Sequence, residues 1–313
     1  MKEIEIIRYP LISGLRLFFN TLDYRTPHVH KEIEIIWIIK GKLLVRTERT
    51  EVILQQRDMA FFNSRQAHEL QKVDDSCTFL CVQVSPQLLT GFCPHLNTVY
   101  ITNCLPKTIL SEELYHNIEH IFLSVMQHYL QQDSCYELYC VSKIQFLLYI
   151  LFTNLPQYII TNEGLIEKKR REERLMRLIQ FVDQNYMHKI KLADFAKQEN
   201  RSASYISHFV RETLNQSFQE YVNTVRFYAA CKHMSAGRLS LLDICFESGF
   251  SDYRYFSETF KKKTGVTPGV YKQMPKTDTF NEELTYHNLH TLEHFYTNEK
   301  SIELLKKIEQ LIV

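Results

Sequence analysis

The chain has 313 residues, a length typical of two or more domains, and its 37 Lys and Arg nearly balance its 36 Asp and Glu. A hydrophobic share of 45% and a charged share of 23% exclude a disordered or fibrous chain. No apolar run approaches the roughly 18 residues of a membrane helix, and the acidic start lacks a signal-peptide core, so we expect a cytoplasmic protein that contacts no membrane. The eight cysteines form no CxxC pair, which favours reduced thiols over disulfides.

Short apolar runs rich in β-branched and aromatic residues follow one another through residues 1–107. Turn residues or charge clusters separate them at short intervals, which is typical of antiparallel strands. We therefore predict a sandwich or barrel here. The runs are Leu15–Phe19, Ile33–Ile39, Lys42–Thr47, Val52–Leu54, Met59–Phe62 and Phe79–Val84.

The apolar spacing changes to three and four residues at Ser111, and predicts helices over 111–130 and 134–153. Ser111 precedes two glutamates and is a plausible N-cap. The apolar stripes of this pair are wider than one small barrel needs, so we expect residues 108–155 to form a homodimer interface, with simple coverage of the barrel as the alternative. Residues 156–171 contain Pro156 and Gly164 and lack periodicity, and we predict an interdomain linker there.

Residues 172–274 contain an internal repeat with an offset of 49 to 50 residues, in which Leu192–Ala196 corresponds to Leu241–Cys245. Each copy consists of a short helix, a tight turn and a second helix, whose N-cap we assign to Ser202 or Ser251. This pattern predicts two helix-turn-helix units. The periodic stretch 218–234 between them would form a helix about 26 Å long, enough to hold two recognition helices about one DNA turn, 34 Å, apart.

The second helix of each unit presents a polar face opposite its apolar core residues. Residues 170–274 also carry six more Lys and Arg than Asp and Glu, whereas the remainder is acidic. Hydroxyls, His, Arg and carboxylate groups can read base edges, while Arg211, Lys261, Lys262 and Lys263 are better suited to phosphates. The candidate DNA-binding residues are Ala203, Ser204, Ser207, His208, Arg211, Tyr253, Arg254, Ser257, Glu258, Lys261 and Lys262.

The segment GFSDYRYFSETFKKKTGVTPGVY at 249–271 resembles the signature of the AraC/XylS transcriptional regulators, and RSASYISHFVRE at 201–212 and SFQEYVNTVRFYAA at 217–230 extend the match. The resemblance covers about a hundred residues in register. It implies a bacterial regulator whose recognition helices enter successive major grooves of double-stranded operator DNA. It also assigns Arg226, in the connecting helix, a structural or phosphate-contacting role. RNA polymerase is an expected partner if the protein is an activator.

His28, His30, Glu34 and Gly41 fit the pattern HxHx3Ex6G, with His68 in a second segment, and resemble the cupin barrel that such regulators often carry as an effector domain. The first three differ by even numbers, so on one strand they share a face, which in such a barrel is the interior. We predict that His28, His30, Glu34 and His68 bind a small-molecule effector, such as a carbohydrate, with Trp37 as a stacking surface. The implied fold is multidomain α+β: an N-terminal antiparallel cupin or jelly-roll-like barrel, two helices, then an all-α domain with two helix-turn-helix units.

Two alternatives remain open for function. Three imidazoles and a carboxylate suit a divalent metal such as Fe, Mn, Ni or Zn, as in a metal-binding cupin enzyme or a metal sensor tethered to a DNA-binding domain. The second alternative is an effector-independent repressor or architectural protein. The leading prediction is a regulator that is not an enzyme and needs no cofactor. Residues 275–313 extend beyond the family pattern, and we predict an amphipathic helix over 282–313 without assigning it a function.

Overall fold

The fold is that of a computed structural model, which describes residues 9–48, 50–74, 76–214, 216–237, 239–273 and 292–312. The strands are β1 (Leu15–His28), β2 (Ile33–Lys40), β3 (Leu43–Thr47), β4 (Glu51–Leu54), β5 (Met59–Phe62), β6 (His68–Lys72), β7 (Cys77–Val84), β8 (Val99–Ile101), β9 (Gln157–Ile159) and β10 (Leu292–Phe295). The helices are α1 (Gln87–Thr90), α2 (Glu112–Gln131), α3 (Tyr136–Asn154), α4 (Asn162–Asn185), α5 (Leu192–Gln198), α6 (Ala203–Leu214), α7 (Phe218–Ala236), α8 (Leu241–Glu247), α9 (Tyr253–Thr264), α10 (Pro268–Gln273) and α11 (Asn298–Ile312).

The N-terminal strands form a nearly closed antiparallel barrel in the order β4-β3-β6-β1-β7-β2-β5. Because side chains alternate along a strand, each strand has an inner and an outer face. In β2 the inner residues Ile36 and Ile38 pack within the barrel, whereas the outer residues Ile35 and Trp37 pack with the covering helices. The predicted barrel and the α+β fold class are confirmed.

Helices α2 and α3 form as predicted and pack over the outer face of the barrel, which is the coverage given as the alternative to a homodimer interface. The side chain of Ser111 accepts a hydrogen bond from the Leu114 amide, so the predicted N-cap is confirmed. The buried carboxylate of Glu119 on α2 lies 2.6 Å from the Arg57 guanidinium, which fastens the helix to the barrel. None of the described helices is long and apolar enough to cross a membrane.

The segment 156–171, predicted as a linker, is instead regular structure. Strand β9 pairs with β8, and the Pro156 carbonyl before it accepts from the Thr102 amide. Helix α4 begins after the N-cap Thr161 and continues through Gly164. The Pro and Gly signals therefore mark the start of a strand and the first turn of a helix, and the two domains are joined by the long helix α4.

The helical domain contains both predicted helix-turn-helix units, α5–α6 and α8–α9, joined by α7. Phe195, Ile206 and Val210 are buried in the first unit, and Phe256 and Phe260 in the second, as their spacing predicts. The Ser202 hydroxyl caps the Tyr205 amide as expected. In the second unit, however, the N-cap is Asp252 and not Ser251: the Asp252 carboxylate accepts from the Tyr255 amide at 2.7 Å.

The barrel and the helical domain are in direct contact. Val29 and Ala67, in loops at one end of the barrel, belong to the same buried cluster as the apolar residues of α4 to α7. Farther along β1 the ring of Tyr24 stacks on Tyr228 of α7, with centroids 3.5 Å apart and planes 3° from parallel. The apolar part of this contact is continuous with the core of the first helix-turn-helix unit through Val29 and Ala67, and with that of the second unit through Tyr24.

The C-terminal extension returns to the barrel. Strand β10 pairs antiparallel with β1, and the Glu293 carboxylate accepts from Asn20 at 2.8 Å and lies 3.5 Å from Arg25. Helix α11 packs on α2 through buried Leu305 and Ile308. The predicted helix is confirmed over 298–312, whereas residues 292–295 form a strand; residues 274–291 and 313 lie outside the described residues.

Leu305→Ala removes a buried side chain, 4% exposed, and is expected to lower the free energy of unfolding of the barrel domain by about 2–5 kcal/mol. The exposed neighbour Lys306 provides the matched control, Lys306→Ala, which should change stability by less than about 0.5 kcal/mol. The check is chemical denaturation followed by circular dichroism. Equal stability of the two variants would show that α11 does not pack on α2.

Candidate functional site: a histidine cluster and two DNA-reading faces

Three predicted effector-binding histidines meet at the end of the barrel that faces the helical domain. His28 ends β1 and pairs in register with His68, the first residue of β6, while His30 follows in the loop before β2. All three are buried, and each has a ring nitrogen within 4.8 Å of ring nitrogens of the other two. The structure therefore brings together the residues that the spacing selected, including His68 from the distant segment.

Backbone carbonyls fix the orientation of two of the rings. The Thr26 carbonyl lies 2.9 Å from Nδ1 of His28, and the Gln66 carbonyl lies 2.9 Å from Nδ1 of His68. Since a carbonyl only accepts, Nδ1 must carry the proton, and in a neutral ring Nε2 then presents a lone pair. Burial holds the pKa of His28 well below its ordinary value, which favours this neutral form.

The Glu34 carboxylate lies between the rings of His30 and His68. Its oxygens are 3.1 Å from Nε2 of His30 and 3.4 Å from Nε2 of His68. Burial alone would raise the pKa of Glu34, but contacts with these two imidazoles outweigh it and hold the pKa well below the ordinary value. A carboxylate facing an imidazole lone pair requires a cation, either a proton or a metal ion, between the two groups.

Gln83 is a site residue that the sequence motif did not reveal. It lies on β7 directly opposite Glu34 in register, is fully buried, and donates from Nε2 to a Glu34 oxygen at 2.7 Å. The available signal was an amide side chain inside a buried and mostly apolar strand, CTFLCVQV. Gln83 fixes the carboxylate and leaves its second oxygen turned toward His68.

The prediction that Trp37 stacks on an effector in this site is wrong. Trp37 and Glu34 are separated by an odd number of positions on β2, so they point to opposite faces. The indole packs against Phe122 of α2, with ring centroids 5.8 Å apart. The ring that does stack on the cluster is Phe62, whose centroid lies 4.2 Å from that of His68.

Most of the predicted DNA-reading residues lie on open surfaces. In α6 Ala203, Ser204, His208 and Arg211 are exposed and Ser207 is half-buried; in α9 Tyr253, Arg254, Glu258, Lys261 and Lys262 are exposed and Ser257 is half-buried. Neither face is covered by the barrel. Nε of Arg254 lies 3.0 Å from a Glu258 oxygen, an exposed pair of the kind that contributes at most about 1 kcal/mol and is readily exchanged for a base contact.

Two of the basic residues assigned to DNA have other contacts. Arg226 donates from Nε to the Tyr186 carbonyl and from a terminal nitrogen to the His188 carbonyl, both at 2.8 Å, so it supports the corner after α4. A side chain at Gly249, where φ is +81°, would collide with the same Tyr186 carbonyl. Lys263 points toward the barrel and donates to Thr224 at 3.0 Å. Arg226 and Lys263 are therefore structural residues in this arrangement.

Comparisons with known proteins agree with both halves of the fold. Residues 12–141 match the AraC-like ligand binding domain, and residues 195–274 match a helix-turn-helix domain family. The chain belongs to the AraC family of transcriptional regulators. It thus combines a DNA-binding helix-turn-helix domain with a ligand-binding domain.

Relatives and solved structures of this family are distant in sequence. The HTH-type transcriptional regulator YdeC of Bacillus subtilis is 23% identical over 82% of this chain and 88% of its own length. SAR0107 of Staphylococcus aureus is 20% identical over 82% of this chain, which spans only 33% of that protein. The crystal structure of ToxT from Vibrio cholerae has 16% identity and a TM-score of 0.41, covering 83% of this chain and 97% of ToxT.

Proposed function

We propose that this AraC-family regulator is controlled by a divalent metal ion held by His28, His30, His68 and Glu34. The observation that carries the proposal is the convergence of three buried imidazoles, with ring nitrogens within 4.8 Å of one another, around a carboxylate. Three nitrogens and one oxygen are a ligand set suited to Zn, Fe, Mn or Ni. The proposal includes no catalytic step.

The residues present fit a metal ion better than a carbohydrate. Carbonyl acceptors at Nδ1 of His28 and His68 supply the outer hydrogen bonds that usually orient metal-bound imidazoles. Gln83 gives the Glu34 carboxylate the same support. The three imidazoles and Glu34 are each at most 8% exposed, so a sugar ring would require the surrounding side chains to move.

The histidines are adjacent in sequence to residues that contact the DNA-binding domain. Val29 lies between two of the histidines and Ala67 precedes the third, and both pack into the core shared with α4 to α7. Glu69, which follows His68, accepts from the Tyr24 hydroxyl at 2.8 Å and from Gln216, in the turn between α6 and α7, at 3.2 Å. A ligand that shifts these strand ends would favour one arrangement of the two domains, which is the requirement for allosteric control.

We further propose that the polar faces of α6 and α9 read operator DNA in successive major grooves. Arg254 suits guanine and Glu258 can accept from a cytosine amino group, while Arg211, Lys261 and Lys262 contact phosphates. Arg254 lies in the first turn of α9, which Asp252 caps, whereas Arg211, Lys261 and Lys262 lie in the last turns of their helices. An activator of this design would act through RNA polymerase.

A homodimer is proposed through α3. Its outer surface exposes three large apolar side chains, Leu138 at 74%, Phe146 at 47% and Tyr149 at 61%, although its inner surface is buried against α2 and the barrel. Exposed apolar residues grouped on one helix are typical of a protein interface. A two-fold dimer would match repeated DNA half-sites.

The metal proposal predicts one Zn²⁺ per chain in a titration with a chromogenic competitor. His68→Gln removes one ligand and should weaken binding by at least about a hundredfold, since loss of even an outer-shell partner costs 10–100-fold. His120→Ala, an exposed histidine on α2, is the matched control and should bind as the unaltered protein does. The proposal would be contradicted if the unaltered protein bound no Zn²⁺, or if the unaltered protein and both variants bound it equally.

The DNA-reading proposal is tested on sites selected from a random pool. Arg254→Ala should weaken selected sites by about 1–3 kcal/mol and relax the sequence preference, because a base contact is lost. Lys262→Ala should weaken all sequences alike and reduce the salt slope by about one. Lys307→Ala, exposed on α11, is the control. An unchanged preference in Arg254→Ala would rule out the assigned face of α9.

The dimer proposal predicts that Tyr149→Glu places a charge in the interface and converts the dimer to a monomer in sedimentation equilibrium. Since Tyr149 is 61% exposed in the chain, its replacement should leave the thermal transition of the monomer nearly unchanged. Glu137→Gln, on the first turn of α3, is a control that should stay dimeric. A monomeric parent protein at micromolar concentration would refute this interface.

A further inference from the structure

Each recognition helix is tied by a tyrosine hydroxyl to the long helix that precedes its unit. The Tyr205 hydroxyl, in the first turn of α6, accepts a hydrogen bond from a terminal nitrogen of Arg174 on α4 at 2.9 Å. The Tyr255 hydroxyl, in the first turn of α9, accepts from the Asn223 amide on α7 at 2.5 Å. Both contacts join two helices, so they fix how one helix lies against the other.

These four residues occupy equivalent positions of the internal repeat. Asn223 follows Arg174 by 49 residues. Tyr255 follows Tyr205 by 50 residues, so both pairs have the offset that relates the two units. The repeat therefore extends back to include one long helix in each copy, α4 in the first and α7 in the second. The same contact is made by an arginine in one copy and by an amide in the other, which indicates that the arrangement requires the contact and not one residue type.

Further contacts hold the two donor side chains in place. The Arg174 guanidinium also donates to Glu199, in the turn before α6, at 3.2 Å, and Glu199 is bound a second time by Arg177. The Arg174 side chain is only 10% exposed, and that of Glu199 is 7% exposed. On α7 the side-chain oxygen of Asn223 accepts from Gln219 at 3.1 Å. The tyrosine hydroxyls are consequently bound by groups that have little freedom to move.

The apolar core of each unit constrains the rotation of its recognition helix less sharply than a hydrogen bond does. Burial of Ile206 and Phe256 is favourable but non-directional, whereas a hydrogen bond weakens steeply away from its preferred angle. Tyr205 and Tyr255 are each 42% exposed, so they lie at the boundary between the core and the open face of their helices. A directional contact at this boundary sets where exposed side chains such as Arg254 point.

We propose that Tyr205 and Tyr255 are positioning residues for DNA reading, which hold the exposed faces of α6 and α9 in the orientation that fits the major groove. This inference rests on the assignment of those two faces to DNA. The hydroxyls act through the orientation of the helix and not by contact with a base. Since the contact from Arg174 is charge-assisted and that from Asn223 is neutral, the first unit depends more strongly on its tyrosine.

The test compares the full-length protein with variants that lose one hydroxyl, on sites selected from a random DNA pool. The half of the site whose preference is relaxed in Arg254→Ala is assigned to α9. Tyr255→Phe should weaken binding about two- to tenfold through that half alone, and Tyr205→Phe about tenfold or more through the other half. Affinity for unrelated DNA and the salt slope should not change, because the phosphate contacts remain. Tyr158→Phe, 40% exposed on β9, is the control.

A double-mutant cycle separates positioning from direct contact. If Tyr255 acts through Asn223, then Asn223→Ala should cause the same loss as Tyr255→Phe, and the double variant should lose no more than either. An effect of Tyr255→Phe without any effect of Asn223→Ala would overturn the proposal, because the hydroxyl would then contact DNA itself. The proposal is also overturned if both tyrosine variants keep the site preference of the unaltered protein.

Hydrogen exchange provides a second readout that needs no DNA. The amides of α6 should exchange faster in Tyr205→Phe, and those of α9 in Tyr255→Phe, with the exchange of the barrel unchanged. Unchanged exchange in both variants would refute the anchoring of the helices. Failure of the unaltered protein to select any site would instead refute the assignment of the two faces to DNA, so the two failures are distinguishable.

Discussion

The burial of Val29 and Ala67 in the core of the first helix-turn-helix unit is the contact on which the rest of the structure depends. Each of these residues is adjacent in sequence to a histidine of the cluster, and side chains of neighbouring residues point in different directions. The histidines consequently face the barrel while their neighbours face the helices. A shift of the histidines by a few tenths of an ångström would also displace Val29 and Ala67, because packed interiors transmit displacement.

Polar contacts also join the barrel to the helical domain. The Glu69 carboxylate, buried beside His68, connects Tyr24 of the barrel with Gln216 at the turn before α7, and Tyr24 itself stacks on Tyr228. On the far side of α7, Arg226 and Gly249 fix the second unit against the corner at Tyr186. The two recognition helices are thereby held in one unit with α7, and this unit contacts the barrel close to the histidines.

The sequence predicted the residues whose role follows from local spacing. The motif selected His28, His30 and Glu34, but the continuous strand assumed for them does not form, because His28 ends β1, His30 lies in the loop and Glu34 lies on β2. The helical repeat placed the recognition faces, because these follow from backbone periodicity. Residues that act through distant contacts were missed or, like Arg226, were left with a structural and a phosphate-contacting role both open. Gln83 matters only through its register with Glu34, and Arg226 has the charge of a phosphate ligand but bonds to two carbonyls. Strand β10 is too short to show periodicity and is defined only by its pairing with β1.

Hydrogen exchange of the full-length protein, with and without Zn²⁺, tests the coupling between the histidine cluster and the DNA-binding domain most directly. We expect slower exchange on metal addition in two places: the strand ends around His30 and His68, and the amides of α4 and α6 that pack on Val29 and Ala67. Protection confined to the barrel, with unchanged exchange in α4 and α6, would contradict this expectation, because the metal would then bind without affecting the helical domain.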